Sequence, residues 1–138
     1  MATTNSPSAL RNVLLFDAAT CAAMGAVLVL GATPIAEWTA IPTALLWYVG
    51  LLLLPIAAFI AFVATSAVGS PWAVWSVIIG NDLWVAGSIV LMFGGWITPN
   101  ALGYAFIGAQ AVVVAVLAVL EYRALRGLSA HIPAEALR

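Results

Sequence analysis

Residues 72–94 read WAVWSVIIGNDLWVAGSIVLMFG, and the only charge in the stretch is Asp82. At about 1.5 Å of rise per residue, a helix of this length crosses the roughly 30 Å hydrocarbon core of a bilayer. Three more stretches qualify on the same grounds, near 9–31, 43–67 and 101–123. A proline stands at or just before the start of each stretch, at Pro7, Pro42, Pro71 and Pro99. Proline is tolerated in the first turn of a helix, where its missing N–H costs nothing. Ser6 and Ser70 stand one residue before two of these prolines as expected N-caps. Asp17 interrupts the first stretch, which is also too long for the apolar region of a signal peptide, so a retained helix is expected there.

Composition assigns the class independently of any motif. The 138 residues are 65% hydrophobic and 7% charged, with a mean hydropathy of +1.16, whereas soluble domains keep roughly a quarter of their residues charged. The expected fold is all-α: a polytopic membrane four-helix bundle forming one domain over residues 1–138, with 124–138 as a cytoplasmic tail. Cys21 is the only cysteine, which removes an intrachain disulfide and a multi-cysteine metal site. A net charge of −1 gives no electrostatic footprint for nucleic acid. His131 is the only histidine and lies in the polar C-terminal stretch, so a bis-histidine haem site within one chain is excluded. No cofactor and no metal is expected.

The four basic residues, Arg11, Arg123, Arg126 and Arg138, lie near the chain ends, and the loops at 32–42, 68–71 and 95–100 contain no Lys or Arg. By the positive-inside rule both termini are cytoplasmic, with Arg11, Arg123 and Arg126 anchoring the inner surface of the cytoplasmic (inner) membrane of the cell. Trp38, Trp47, Trp96 and Tyr104 then mark the outer interface, and Trp72, Trp75 and Tyr122 the inner one. Residues 33–41, apolar apart from Glu37, are expected to lie along the headgroups as a short helix. Glu121, close to Arg123, reads as half of an interfacial ion pair.

The two halves of the chain read as a tandem duplication of a two-helix hairpin. Asp17 precedes Thr33-Pro34 by the same separation as Asp82 precedes Thr98-Pro99. Pro42-Thr-Ala-Leu-Leu-Trp47 resembles Pro99-Asn-Ala-Leu-Gly-Tyr104, and Ser6-Pro7 and Ser70-Pro71 open the halves. Two hairpins of the same orientation make parallel repeats. The tripeptide Ser70-Pro71-Trp72 is similar to the SPW-repeat membrane proteins, which are also duplicated two-helix units. Here it occurs once, since Ser6-Pro7-Ser8 lacks the tryptophan. Over its whole length the chain resembles small uncharacterised four-helix bacterial integral membrane proteins, a likeness of architecture that transfers no functional residue.

A carboxylate in hydrocarbon costs several kcal/mol unless it is protonated, paired or wetted, which makes Asp17 and Asp82 candidate functional groups. At about 100° per residue, Asp82 shares a face with Trp75, Ile78, Ile79, Ala86 and Ile89, opposite a small-residue seam of Ala73, Ser76, Gly80, Gly87 and Gly94. Asp17 lies with Val13, Leu14, Cys21 and Met24, away from Ala18, Ala22, Gly25 and Ala26. Small residues let helix backbones approach closely in lipid. Two arrangements follow. Either the aspartates face the bundle interior and the seams join protomers, or the seams build the bundle and the aspartates meet across an oligomer interface. Asp82, Asn81 and Gln110 are expected near the midplane and Asp17, about 9 Å past Arg11, nearer the cytoplasmic side, and Gln110 shares a stripe with Gly103, Leu117 and Glu121. Pro55 withdraws a hydrogen bond from the Leu51 carbonyl and is expected to kink its helix near Gly50. Asp17, Asp82, Asn81, Gln110 and that carbonyl form the candidate proton or ion site, or else a protonated Asp bonded to Asn81 or Gln110 serves as glue between helices. Cys21 and Met24 are expected to serve packing, and Trp84 a helix contact.

No HExxH, GxSxG or phosphate loop is present, and no acidic metal cluster, so no enzymatic role is expected. Two functions remain. The first is a non-catalytic scaffold or accessory subunit in the lipid bilayer, associating through its Gly/Ala seams as a homo-oligomer or within a larger membrane complex. The second is a small proton- or cation-coupled transporter or channel using Asp82 and Asp17. The scaffold comes first, because few polar groups are available to line a continuous aqueous path.

Overall fold

In the computed structural model, which describes residues 6–130, four helices joined by short connections form an all-α bundle. They are α1 Pro7–Thr39, α2 Thr43–Ser66, α3 Pro71–Phe93 and α4 Ala101–Ser129. Each is long and apolar enough to cross a membrane, and the chain is a multi-pass membrane protein. Helix starts follow the sequence signals. Ser6 caps α1, its side chain accepting from the Ala9 N–H at 3.3 Å, with Pro7 in the first turn. Ser70 takes the N-cap position of α3 without a side-chain bond. Asn100 caps α4 by accepting from the Gly103 N–H at 2.9 Å. The helix α2 continues through Pro55 to Ser66.

Two helix ends differ from the sequence expectation. The first helix does not stop near residue 31 but runs on through Pro34 and Glu37 to Thr39, so the short headgroup helix expected at 33–41 is largely the end of α1. Pro34 withdraws one N–H, yet other bonds close the terminus. The Thr39 hydroxyl donates to the Ile35 carbonyl at 2.6 Å, and Ala40, in the left-handed region at φ 56°, donates its N–H to the Ala36 carbonyl. Contacts from α4 hold the same end from outside. The Asn100 N–H donates to the Thr39 carbonyl at 3.0 Å and the Asn100 side chain to the Trp38 carbonyl at 2.8 Å. At the other end of the chain α4 continues past residue 123 to Ser129, so the first residues of the expected tail, 124–129, are helical. His131 and Arg138 lie outside the described residues.

The helix α1 is central. It packs along α2 and against α4, and α4 packs on α3, while α2 and α3 barely touch. The helices α1 and α2 approach closely, since a Cβ on Gly50 would stand 2.8 Å from Leu28 Cβ and 2.9 Å from the Gly25 carbonyl oxygen. The α1 seam therefore builds the bundle through Ala18 and Gly25, which are buried, while Ala22 is exposed. The α3 seam does not pack this way. Nothing lies within 4 Å of where a Cβ on Gly80 or Gly87 would be, Ala73 is half-buried, and Gly94 ends the helix against the Trp96 ring.

Two apolar clusters result. One joins Leu10, Leu14, Val63, Val74 and Leu125, and the other Leu28, Ala32, Leu46, Leu53 and Ile107. Along α1, Asp17 falls between Leu14 and Ala18, at the edge of the first cluster that faces the second. The expected belt residues Trp38, Trp47, Trp72, Trp96 and Tyr104 are exposed on the bundle surface. Trp75 meets Tyr122 edge to face at 5.8 Å, and the Arg126 guanidinium sits 5.8 Å from the Tyr122 ring centre. Thr33-Pro34 lies inside α1 whereas Thr98-Pro99 lies in the connection before α4, so the paired dipeptides occupy different places in the two halves.

Candidate functional site

Asn81 and Asp82 are neighbours on α3, and about 100° of helix separates the directions of their side chains. The buried face of α3 runs through Val74, Val77, Ile78, Asn81 and Ser88. It falls between the Asp82 face and the small-residue seam. Asn81 is therefore inside and Asp82 is exposed on the outside, so the two aspartates do not occupy equivalent places.

Asp17 is 3% exposed, Asn81 8% and Glu121 0%. The Asn81 side-chain amide donates through Nδ2 to Asp17 Oδ2 at 2.9 Å and to Glu121 Oε2 at 3.1 Å, so one group ties together α1, α3 and α4. Asp17 and Asn81 each stand about 15 Å along their helices from the first turn, and Asp17 is about 9 Å of helix past Arg11. Glu121 Oε1 is buried without a hydrogen-bond partner among the described residues. Two ionised carboxylates have nothing to donate to each other and repel strongly in a low dielectric.

Glu121 is the residue that sequence reasoning misplaced. Its pairing with Arg123 fails because side chains two apart on a helix do not face each other. The stripe it shares with Gly103 and Leu117, both buried, is the signal that points inward. Gln110 belongs to a second polar group. Trp84 Nε1 donates to Gln110 Oε1 at 2.8 Å, Gln110 Nε2 to Ser88 Oγ at 3.3 Å, and Ser88 Oγ to the Trp84 carbonyl at 2.8 Å. On α2 the polar backbone group engaged is the Leu53 carbonyl, which accepts from the Cys21 thiol at 3.5 Å.

A cavity of about 540 Å³ runs from Asp17 and Asn81 to Trp84 and Gln110. Asp17 and Asn81 border it with Thr20 and Cys21, Trp84 and Gln110 close another part, and Ile56, Phe59, Val77 and Phe106 supply apolar wall. Trp84, Cys21 and Met24 thus face open volume as well as neighbouring helices. A second cavity of about 490 Å³ shares Gly80, Trp84 and Gln110 with the first and reaches Gly87, Leu91 and Trp96. Gly80 and Gly87 consequently border space rather than a packed helix. The space exists because α2 and α3 stand apart.

The chain matches no known protein-family model, and no curated protein or solved structure is significantly similar to it. Its chemistry is read from its own geometry. Among the described residues no three His, Cys, Asp or Glu side chains are grouped to hold a metal ion. Two buried carboxyls on one donor, with one oxygen still lacking a donor, can exchange a proton or attract a cation.

Proposed function

We propose that the protein is a small proton- or cation-coupled transporter whose exchange site is the cluster of Asp17, Asn81 and Glu121. The observation that carries this reading is the unpartnered Glu121 Oε1 beside two carboxyls that share the Asn81 amide. Buried carboxyls in a membrane serve as proton relays and ion sites because leaving them ionised and unpaired is costly. In this reading the site holds a proton when empty and releases it when a cation arrives through the cavity. The role that the sequence suggested for Asp82 passes to Glu121, while Gln110 and Trp84 shape the opposite side of the cavity. No bond-making chemistry and no cofactor enter. The termini and Arg11, Arg123 and Arg126 lie on the cytoplasmic side of the cell's inner membrane, and the two hairpins descend from a duplicated unit.

Reconstitution into vesicles containing a pH-sensitive dye tests the reading. An imposed cation gradient drives proton flux in the native protein, and Asp17→Asn and Glu121→Gln each abolish it, whereas Asp82→Asn keeps it. Flux that is absent, or indifferent to both cluster variants, removes the transport role.

One observation favours a second reading, the scaffold or accessory subunit. Asp82 is exposed on α3 together with Ile79, Leu83 and Ile89, at a depth where the surroundings are hydrocarbon unless another helix covers it. A homo-oligomer or a larger complex satisfies that face, and the native mass of the protein extracted with its lipid distinguishes the two.

A further inference from the structure

The cavity beside the carboxyl cluster differs from an ion channel in what lines it. Most of its wall is apolar side chains such as Met24, Ile56, Phe59, Val77 and Phe106, Gln110 and Ser76 are the polar residues away from the Asp17 end, and no Lys, Arg or His borders it. A hard inorganic cation needs several oxygen ligands to replace its hydration shell, which such a wall does not offer. An anion would meet the carboxyls. A volume of about 540 Å³ falls within the roughly 300–1,000 Å³ of sites that hold small organic molecules.

From this geometry we infer that the cavity binds an amphiphilic organic monocation, an apolar body carrying one amine or onium charge. The inference rests on the cluster being the exchange site proposed above, and adds to it the class of cation. The charge lies against Asp17, the carboxyl of the cluster that borders the cavity, and takes the place of a proton there, one positive charge replacing another. The apolar body lies against Phe59, Phe106 and Trp84, whose ring faces attract cations as well as apolar surface. Access is sideways. Because α2 and α3 barely touch, the cavity opens between them toward the lipid, where a molecule of this kind already partitions. Gly80 borders both cavities with nothing within 4 Å of its would-be Cβ, so this part of the passage is kept clear by the absence of a side chain.

The test is equilibrium binding of tetraphenylphosphonium and of its isosteric anion, tetraphenylborate, to the full chain in lipid nanodiscs. The phosphonium is expected to bind saturably, with affinity that falls as pH is lowered and the proton competes, and the borate is not. Asp17→Asn weakens phosphonium binding by about 30-fold or more, the scale of losing one partner of a buried charge pair. Gly80→Leu fills the passage and weakens binding as well, with the carboxyl cluster untouched and the melting temperature maintained. Asp82→Asn leaves binding as it was. Equal binding of the two ions, or phosphonium binding indifferent to Asp17→Asn, overturns the inference and leaves an apolar groove for lipid chains. If the phosphonium does not bind but an inorganic cation gradient still drives Asp17-dependent proton flux, the ligand class falls and the exchange site stands. If neither occurs, both fall.

Discussion

Asn81 and Asp17 are 64 positions apart in the chain and 2.9 Å apart in space. This bond joins the first hairpin to the second, and its companion to Glu121 ties α3 to α4, all three side chains being buried. Asn81→Leu keeps the size of the side chain and strips both carboxyls of their donor. We expect it to destabilise the fold by about 1–3 kcal/mol, the cost of leaving buried polar groups unsatisfied. That exceeds the average of about 0.6 kcal/mol for a single interhelical hydrogen bond in a membrane protein. Replacing Asp17 and Glu121 by Leu as well should recover much of the loss, since an apolar core needs no donor. Reversible unfolding in mixed micelles, followed by circular dichroism, measures both. A loss under about half a kcal/mol for Asn81→Leu would mean that the bridge contributes nothing to the fold.

The glycines divide into two groups with opposite expectations. A methyl on Gly50 would press against Leu28 Cβ and two backbone atoms of α1, at 2.8–2.9 Å. Gly50→Ala must separate α1 from α2 and should cost about 1–3 kcal/mol. Gly80→Ala and Gly87→Ala meet nothing within 4 Å and should be neutral or stabilise by up to about 1 kcal/mol through helix propensity. The same unfolding assay decides. Equal losses at all three positions would place the α3 seam in a helix contact after all.

Spans were legible because bilayer thickness and composition fix them together; ends were less so. Pro34 reads locally as a stop, and what carries α1 past it is Asn100, sixty-odd residues away, bonding to Trp38 and Thr39. Face assignment failed in a similar way on α3. The Asp82 face and the glycine seam are the conspicuous stripes of that helix, yet the bundle buries the face between them, chosen by two acceptors on other helices. Asp17, Asn81 and Gln110 were visible as polar residues in apolar sequence. Glu121 was visible too, but its nearness to Arg123 disguised it, and only the stripe it shares with Gly103 and Leu117 separates the two readings.

Asn100 links three backbone groups at the junction of the hairpins. Its side chain accepts from the Gly103 N–H and donates to the Trp38 carbonyl, while its own N–H donates to Thr39. Asn100→Ala should cost about 1–2 kcal/mol, the upper part of the range for losing an N-cap. Asn100→Asp retains the cap and loses the donor to Trp38, so an intermediate loss is expected. Hydrogen exchange provides a local check. Amides near residues 36–40 and 100–104 should exchange faster in the alanine variant, and those of the carboxyl cluster should not change.

Asp82 sets the last expectation, because it is polar, exposed and within the hydrocarbon layer. For an isolated protomer the substitution Asp82→Leu removes a group that lipid does not solvate, and stability should rise or stay level. In an assembly the outcome reverses. A second copy brings no cation to this depth, since every basic residue of the chain lies near its ends, and the contact between copies would then be a pair of carboxyls sharing protons. A different subunit could bring a basic residue instead. Native mass spectrometry of the lipid-extracted protein reports which holds. Loss of a homo-oligomer in Asp82→Leu assigns the α3 face to self-association, and loss of a heavier complex assigns it to another subunit. An unchanged mass with unchanged or raised stability removes the scaffold role from this face.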